Sequence, residues 1–291
     1  MERCNLPVKN FGSSRNLSNN KGKMMLFSFA FLLSIILIPQ IKAAAQDLDV
    51  PYVPTPDIVV EKMLNMGNVG PGDYVIDLGS GDGRIVIAAA KKGAVGHGVD
   101  IDPERIMEAR QNAIDAGVND KVLFIQDNIF EVDYSRANVI TMYLLSSVNI
   151  KLRPYLLARL RPGSRIVSHD FDMDEWVPDK HDSFEGHDIF YWVIPADVKG
   201  EWKWKNSGKG YTMTAVQEFQ RIKLLVKSGN KALPVNNELL SGERISFTAA
   251  DPSNGNSYLY SGRVDGNSII GTVQIRNGNE AAIEHWTATR D

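Results

Sequence analysis

The spacing of apolar residues changes character along the chain, and each change predicts a different architecture. Between positions 56 and 170, short and nearly continuous apolar runs alternate with stretches whose apolar residues recur at helical intervals. The runs 74–78, 96–100, 122–126, 138–145 and 164–170 are rich in Val, Ile and Leu and read as strands. Helical periodicity marks 84–92, 103–116 and 148–160, and a further helix opens at Pro56, with Thr55 as its cap and Ile58, Val59, Met63 and Leu64 on its apolar face. Such alternation predicts an α/β, Rossmann-like parallel sheet with helices on both faces, because βαβ crossovers are right-handed. A ligand cleft is expected beyond the carboxyl ends of the strands.

After Lys199 only period-two runs remain, at 201–204, 211–220, 222–227, 244–249, 257–264, 268–276 and 281–289. Ser228-Gly229-Asn230, Asp265-Gly266 and Asn277-Gly278 separate some of them as hairpin turns. The pattern predicts a C-terminal antiparallel β-rich meander or small barrel, some of whose early strands are also able to extend the first sheet. This tail shows no grouping of nucleophile, base or metal ligands, so binding, dimerisation or capping of the substrate side is its expected role. Trp202, Trp204, Tyr258, Tyr260 and Trp286 are expected to pack its core, with a ligand surface as the alternative.

Chemistry enters at the end of the first strand. Tyr74-Val-Ile-Asp77-Leu-Gly79-Ser80-Gly81-Asp82-Gly83-Arg84 runs from a strand through closely spaced glycines into a helix. That arrangement lets a ligand approach bare backbone and the free N–H groups of a helix start. A dinucleotide fingerprint places a third glycine inside the helix, where this chain has Arg84. Asp77 and Asp82 would repel a pyrophosphate and attract a ligand that carries an ammonium and a sulfonium.

The motif resembles the first motif of the class I S-adenosylmethionine-dependent methyltransferases. The resemblance implies S-adenosyl-L-methionine as cofactor, with Asp77, Gly79, Ser80, Gly81 and Gly83 at the turn. It implies Asp100, 21 residues after Gly79, and Ile101 at the ribose, and Asp127 and Asn128 near the adenine. Read singly, Asp100 could serve the cap of the helix over 103–116, and Asp127 a turn. The blocks V-P-Y-V-P-T-P, G-V-D-I-D-P-E-R-I and S-H-D-F-D-M resemble bacterial relatives of the mitochondrial lysine methyltransferases that act on the ATP-synthase c subunit and the adenine nucleotide translocase, over residues 50–198. A protein lysine amine is then the implied acceptor, a membrane protein among the candidate substrates, and a small molecule the alternative.

Tyr143, at the end of the fourth strand, is a candidate catalytic and cofactor-facing residue, since an aromatic ring stabilises a sulfonium by cation–π attraction. His169, at the end of the fifth, is a candidate substrate-side base. Methyl transfer requires no metal, and His181 and His187 with Asp182, Glu185 and Asp188 read as a solvated loop without defensible metal spacing. The stiff, proline-rich approach at 50–56 is placed either to close over the cleft or to act as a clamped linker.

Composition adds a leader to this picture. Residues 1–45 combine basic residues, an apolar run at 24–38 and Ala43-Ala44-Ala45, which predicts a signal peptide cleaved after Ala45 or an N-terminal membrane anchor. The expected organisation is 1–45 leader, 46–198 methyltransferase domain and 199–291 β-rich domain, with export to a periplasmic or secreted location. Removal of the leader, which holds six Lys/Arg and one Glu, takes the formal charge from −3 to −8, which argues against nucleic acid as a partner. Because the donor is made in the cytosol, an exported non-catalytic binding protein with a vestigial cofactor fold is a rival, as is a nicotinamide oxidoreductase.

Overall fold

The computed structural model describes residues 52–290, so the basic and apolar leader lies outside the described residues. Among the described residues, no helix is long and apolar enough to cross a membrane. Helix α1 (Asp57–Met66) is followed by β1 (Tyr74–Leu78), α2 (Arg84–Lys91), β2 (Val95–Asp100), α3 (Pro103–Asp115), β3 (Val122–Gln126), β4 (Val139–Met142), α4 (Ser146–Arg159), β5 (Arg165–His169), β6 (Lys180–Phe184) and β7 (His187–Val193). These strands form one sheet in the order β3-β2-β1-β4-β5-β7-β6. Strands β1 to β5 are parallel, whereas β7 runs antiparallel to β5 and β6 antiparallel to β7. Strand order reverses between β1 and β4, where chain crossovers diverge and leave a crevice.

The fold corrects three local expectations. Pro56, not Thr55, occupies the N-cap of α1, and Thr55 instead turns its hydroxyl to His169 Nδ1 at 3.1 Å. Along α1, Val60 joins Val59, Met63 and Leu64 in the core, while Ile58 is 56% exposed. Segment 180–193 is a hairpin rather than a solvated loop, closed by Glu185 and Gly186 at φ 53° and 81°. Its polar first strand masks the pattern, but Ile189 and Trp192 of β7 are fully buried. This hairpin extends the first sheet; the strands after Lys199 do not.

The second sheet contains β8 (Gly200–Asn206), β9 (Lys209–Glu218), β10 (Arg221–Ser228), β11 (Lys231–Leu233), β12 (Val235–Ser241), β13 (Arg244–Asp251), β14 (Asn256–Asp265), β15 (Ser268–Asn277) and β16 (Glu280–Thr289). Its order is β11-β10-β9-β8-β16-β15-β14-β13-β12, antiparallel between neighbours. The two ends curl back toward each other, and Glu238 of β12 accepts the Leu224 N–H of β10 at 3.1 Å, so the sheet is a nearly closed barrel. Strands β11 and β12 escape sequence reading because Pro234 divides them and Asn237, at φ 55°, marks a shift of register.

Alternation turns Trp202, Trp204, Tyr211, Tyr260 and Trp286 inward, and the rings of the last four pack edge to face or stack. Gly262 makes room for this packing, since a Cβ there would lie 2.8 Å from Trp286. The β9–β10 turn docks on the loop after β5: Phe219 stacks on Trp176 at 5.7 Å, and Trp176 Nε1 donates to Gln220 Oε1 at 2.9 Å.

The aromatic core predicts unequal sensitivity within one strand. Trp286→Ala, at a fully buried position, should cost about 3–5 kcal/mol, whereas Ile283→Ala, at a 71% exposed one, should stay within about 0.5 kcal/mol. Thermal melts followed by near-UV circular dichroism check the contrast.

Candidate active site

The cleft is built where β1 ends. Gly79, Gly81 and Gly83 have φ of 77°, 51° and 81°, a left-handed backbone that only glycine adopts without strain. Gly79 and Ser80 both donate their N–H groups to Val99 O at 2.9 Å, which presses the turn against β2. All three glycines are bare for steric reasons as well: a Cβ on Gly79 would lie 2.8 Å from Leu144, one on Gly81 would collide with Tyr52, and one on Gly83 would lie 2.6 Å from Phe124. Above this floor lies a cavity of about 250 Å³.

Five strand ends furnish its walls. Asp77, Gly79, Ser80 and Gly81 come from β1 and its turn, Asp100 and Ile101 from β2, and Asp127 and Asn128 from β3. Tyr143 and Leu144 follow β4, and Phe171 follows β5. Strand β4 stops at Met142, earlier than its apolar run suggests, because the next three residues leave the ladder to form this wall. Two of the sequence candidates lie outside the wall. Gly83 sits at the N-cap of α2 against Phe124, and His169 is fully buried beside Tyr143.

Carboxylates dominate the floor. Asp77 is buried and accepts the Thr141 hydroxyl at 2.7 Å. Burial pushes its pKa up to about 7, the Thr141 hydrogen bond opposing, and the neighbouring Asp100 and Asp82 add to the rise. Asp100 accepts the Gly81 N–H at 2.8 Å on one oxygen and the Asp102 N–H at 3.0 Å on the other, which fixes its plane against the turn. Capping of α3 falls to Asp102, which accepts the Glu104 N–H at 2.8 Å, so Asp100 is left to the cleft. Asp127 receives the Asn128 N–H at 2.7 Å.

Residues 52–55 pass over the opening as a strap. Arg84 pairs with Asp82 at 2.6 Å and donates to Thr55 O at 2.8 Å, so the residue that replaces a dinucleotide-type glycine latches the strap. Tyr52 lies 4.8 Å beneath the Arg105 guanidinium. Sequence reading points to the strap but not to Arg84 as its latch, because a latch depends on where a distant carbonyl falls.

Aromatic groups line the other end. The Tyr143 ring lies 3.9 Å from that of His169, its hydroxyl donates to Asp170 Oδ2 at 3.3 Å, and Phe171 stacks at 6.1 Å. Burial, with Asp170 nearby, raises the Tyr143 pKa, so the phenol stays protonated. Burial pushes His169 down to about 4, Asp170 opposing and His187 reinforcing, and the imidazole is therefore neutral. Asn149 of α4 donates to Phe171 O at 3.0 Å and holds the ring in the wall. Phe171 escapes sequence reading although it lies within the S-H-D-F block, and His187 reads from sequence only as part of a solvated loop.

A mixed sheet with this strand order, five of its seven strands parallel, together with a glycine turn and acids at successive strand ends, defines a Rossmann-like methyltransferase. A family model described as the ANTKMT methyltransferase domain matches residues 77–180. The protein-lysine N-methyltransferase of Saccharolobus islandicus (strain REY15A) is 46% identical over 153 residues, which span 50% of this chain and 94% of that protein. The ATP synthase c-subunit lysine N-methyltransferase of Xenopus laevis is 33% identical over 159 residues, 55% of this chain and 70% of that protein. A crystal structure described as an RNA methyltransferase from Salinibacter ruber with S-adenosyl-L-homocysteine is 52% identical, covers 50% of this chain and 96% of that one, and superposes with a TM-score of 0.50. The chain belongs to the protein-lysine N-methyltransferase family and is an S-adenosylmethionine-dependent enzyme. The oxidoreductase and vestigial-fold rivals find no support in these relatives.

The residues present fit the donor: a bare-backbone turn admits it, and carboxylates face a cation. Gly81→Arg should abolish S-adenosylmethionine binding by filling the cleft beneath Tyr52, and Asp100→Ala should weaken it about 10- to 100-fold. Equilibrium dialysis with radiolabelled donor measures both.

A cation beside Asp77 favours its charged form, so binding lowers a pKa that starts at about 7 in the free protein. Donor affinity should therefore strengthen as pH rises toward about 7 and level off above it. Asp77→Asn, which still accepts from Thr141, should flatten this part of the profile in the same dialysis assay.

Proposed function

We propose that the enzyme transfers the methyl group to the ε-amine of a protein lysine. The observation that carries the reading is the aromatic end of the cleft, where Tyr143 and Phe171 form the wall and Asp170 orients the Tyr143 hydroxyl. The relatives that bear lysine methyltransferase names, one of them named for the ATP synthase c subunit, support this acceptor class. A lysine must lose its proton before its lone pair can attack, and an apolar mouth lined by Leu144, Leu145 and Val148 disfavours the ammonium form. S-adenosylmethionine supplies a methyl carbon activated by its sulfonium charge. The chain's own contribution is alignment: the Tyr143 oxygen accepts from the amine and points its lone pair along the line of displacement. Asp77, Asp100 and Asp127 would hold the donor, and the 52–55 strap, which lines the same cavity, would exclude water from it.

The leader at 1–45 supports membrane-associated or exported placement, and so a membrane protein as substrate; these residues lie outside the described ones. Fractionation of the native protein tests that placement. Incubation of the enzyme with radiolabelled donor and a membrane-protein fraction should place label in methyl-lysine after acid hydrolysis. Label in RNA, and none in protein, would reject the reading. Tyr143→Phe should lower kcat roughly 100-fold while the donor still binds, which single-turnover kinetics and dialysis together resolve.

A further inference from the structure

Beside Tyr143, three atoms of metal-binding type converge. His169 Nε2 lies 2.9 Å from His187 Nδ1, His187 Nδ1 lies 3.1 Å from Asp170 Oδ2, and the same oxygen is 3.3 Å from His169 Nε2. Ligands bound to zinc at about 2.0–2.1 Å in a tetrahedron stand about 3.3 Å from one another. The triangle therefore has the size of one tetrahedral face.

Hydrogen bonds alone serve this triangle poorly. Each imidazole turns a single ring nitrogen into the triangle and a carboxylate offers no hydrogen, so at most two of the three edges can hold a proton. Thr55 Oγ1, 3.1 Å from His169 Nδ1, competes for one of them. When Thr55 accepts that Nδ1–H, Nε2 is left with its lone pair directed into the triangle. Asp170 is prepared in the same way: its Oδ1 accepts the Asp188 N–H at 2.9 Å, which leaves Oδ2 to the cluster and to the Tyr143 hydroxyl at 3.3 Å.

The backbone is bent to bring these groups together. Asp170 has φ 59°, a left-handed conformation uncommon for a residue with a side chain, and its N–H is held by Asp188 O at 2.7 Å. Antiparallel pairing of β5 with β7 delivers His187 from the opposite chain direction. His169 is fully buried, whereas Asp170 and His187 are partly exposed, which leaves an open side for entry and for a fourth ligand.

The geometry points to a divalent transition-metal site, of zinc type, formed by His169 Nε2, His187 Nδ1 and Asp170 Oδ2. Imidazole and carboxylate donors without thiolate suit zinc, cobalt and nickel over copper(I). The ion joins the end of β5, the start of β7 and, through Thr55, the strap over the donor cleft. Its role is to position Asp170 and hence Tyr143, and the site exists independently of which acceptor is methylated.

The full chain, purified without a polyhistidine tag and stripped with chelator, is titrated with Co²⁺ and with Zn²⁺. One equivalent of Co²⁺ should produce the intense visible absorption of a tetrahedral site, and Zn²⁺ should displace it and raise the melting temperature. His187→Ala and Asp170→Asn should each weaken Co²⁺ binding at least about 100-fold, while His181→Ala leaves it unchanged. Absence of both the cobalt band and zinc retention in the wild-type chain overturns the site, as does wild-type binding by the His187 and Asp170 variants. Far-UV circular dichroism identifies a variant that fails to fold, and the wild-type titration then decides.

Discussion

A carboxylate held in a dry, acid-rich turn is the constraint around which this protein is arranged. Asp77 is buried within reach of the fields of Asp100 and Asp82, and the neighbouring guanidinium of Arg84 is committed to Asp82. Burial of such a group is unfavourable unless it is neutral or faces a cation. The glycines at 79, 81 and 83 keep side chains out of the space above it, so a positively charged donor can come close to both the carboxylate and the main chain. Loop closure, strand ends and helix starts all serve that one local imbalance.

The strap at 52–55 connects the two ends of the site. Its Thr55 carbonyl is held by Arg84 at the donor end, and its hydroxyl reaches His169 behind the acceptor wall. Movement of the strap therefore changes the surroundings of Tyr143 through His169, whose ring lies 3.9 Å away. On the proposed reading, donor binding and acceptor alignment would share this one short segment.

Much of the first sheet was legible because buried parallel strands read as continuous apolar runs and the acids at their ends stand out. Nine of the cleft's wall residues, among them Asp77, Asp100, Asp127 and Tyr143, could be named from spacing and resemblance. What remained hidden depends on pairing between distant segments. Thr55 has the chemistry of a helix cap, and only the fold reveals that His169 lies within its reach. His187 sits in a polar stretch whose β-hairpin is disguised by His181, Asp182 and Asp188, and its meeting with Asp170 is a product of antiparallel pairing. Strand β12 was lost because its bulge breaks the period on which strand reading relies.

The barrel stands outside the donor site, with its own aromatic core and a dock on the loop after β5 through Phe219 and Gln220. That loop also carries Phe171, so the barrel braces one wall of the cleft. The other walls carry Asp77, Asp100 and Asp127, and the central claim is that these residues hold the donor. A crystal structure of the full chain with S-adenosyl-L-homocysteine tests it most directly. The account predicts the ribose hydroxyls on Asp100, the adenine beside Asp127 and the amino group toward Asp77. Ligand density elsewhere on the molecule, with those three carboxylates unengaged, would contradict it.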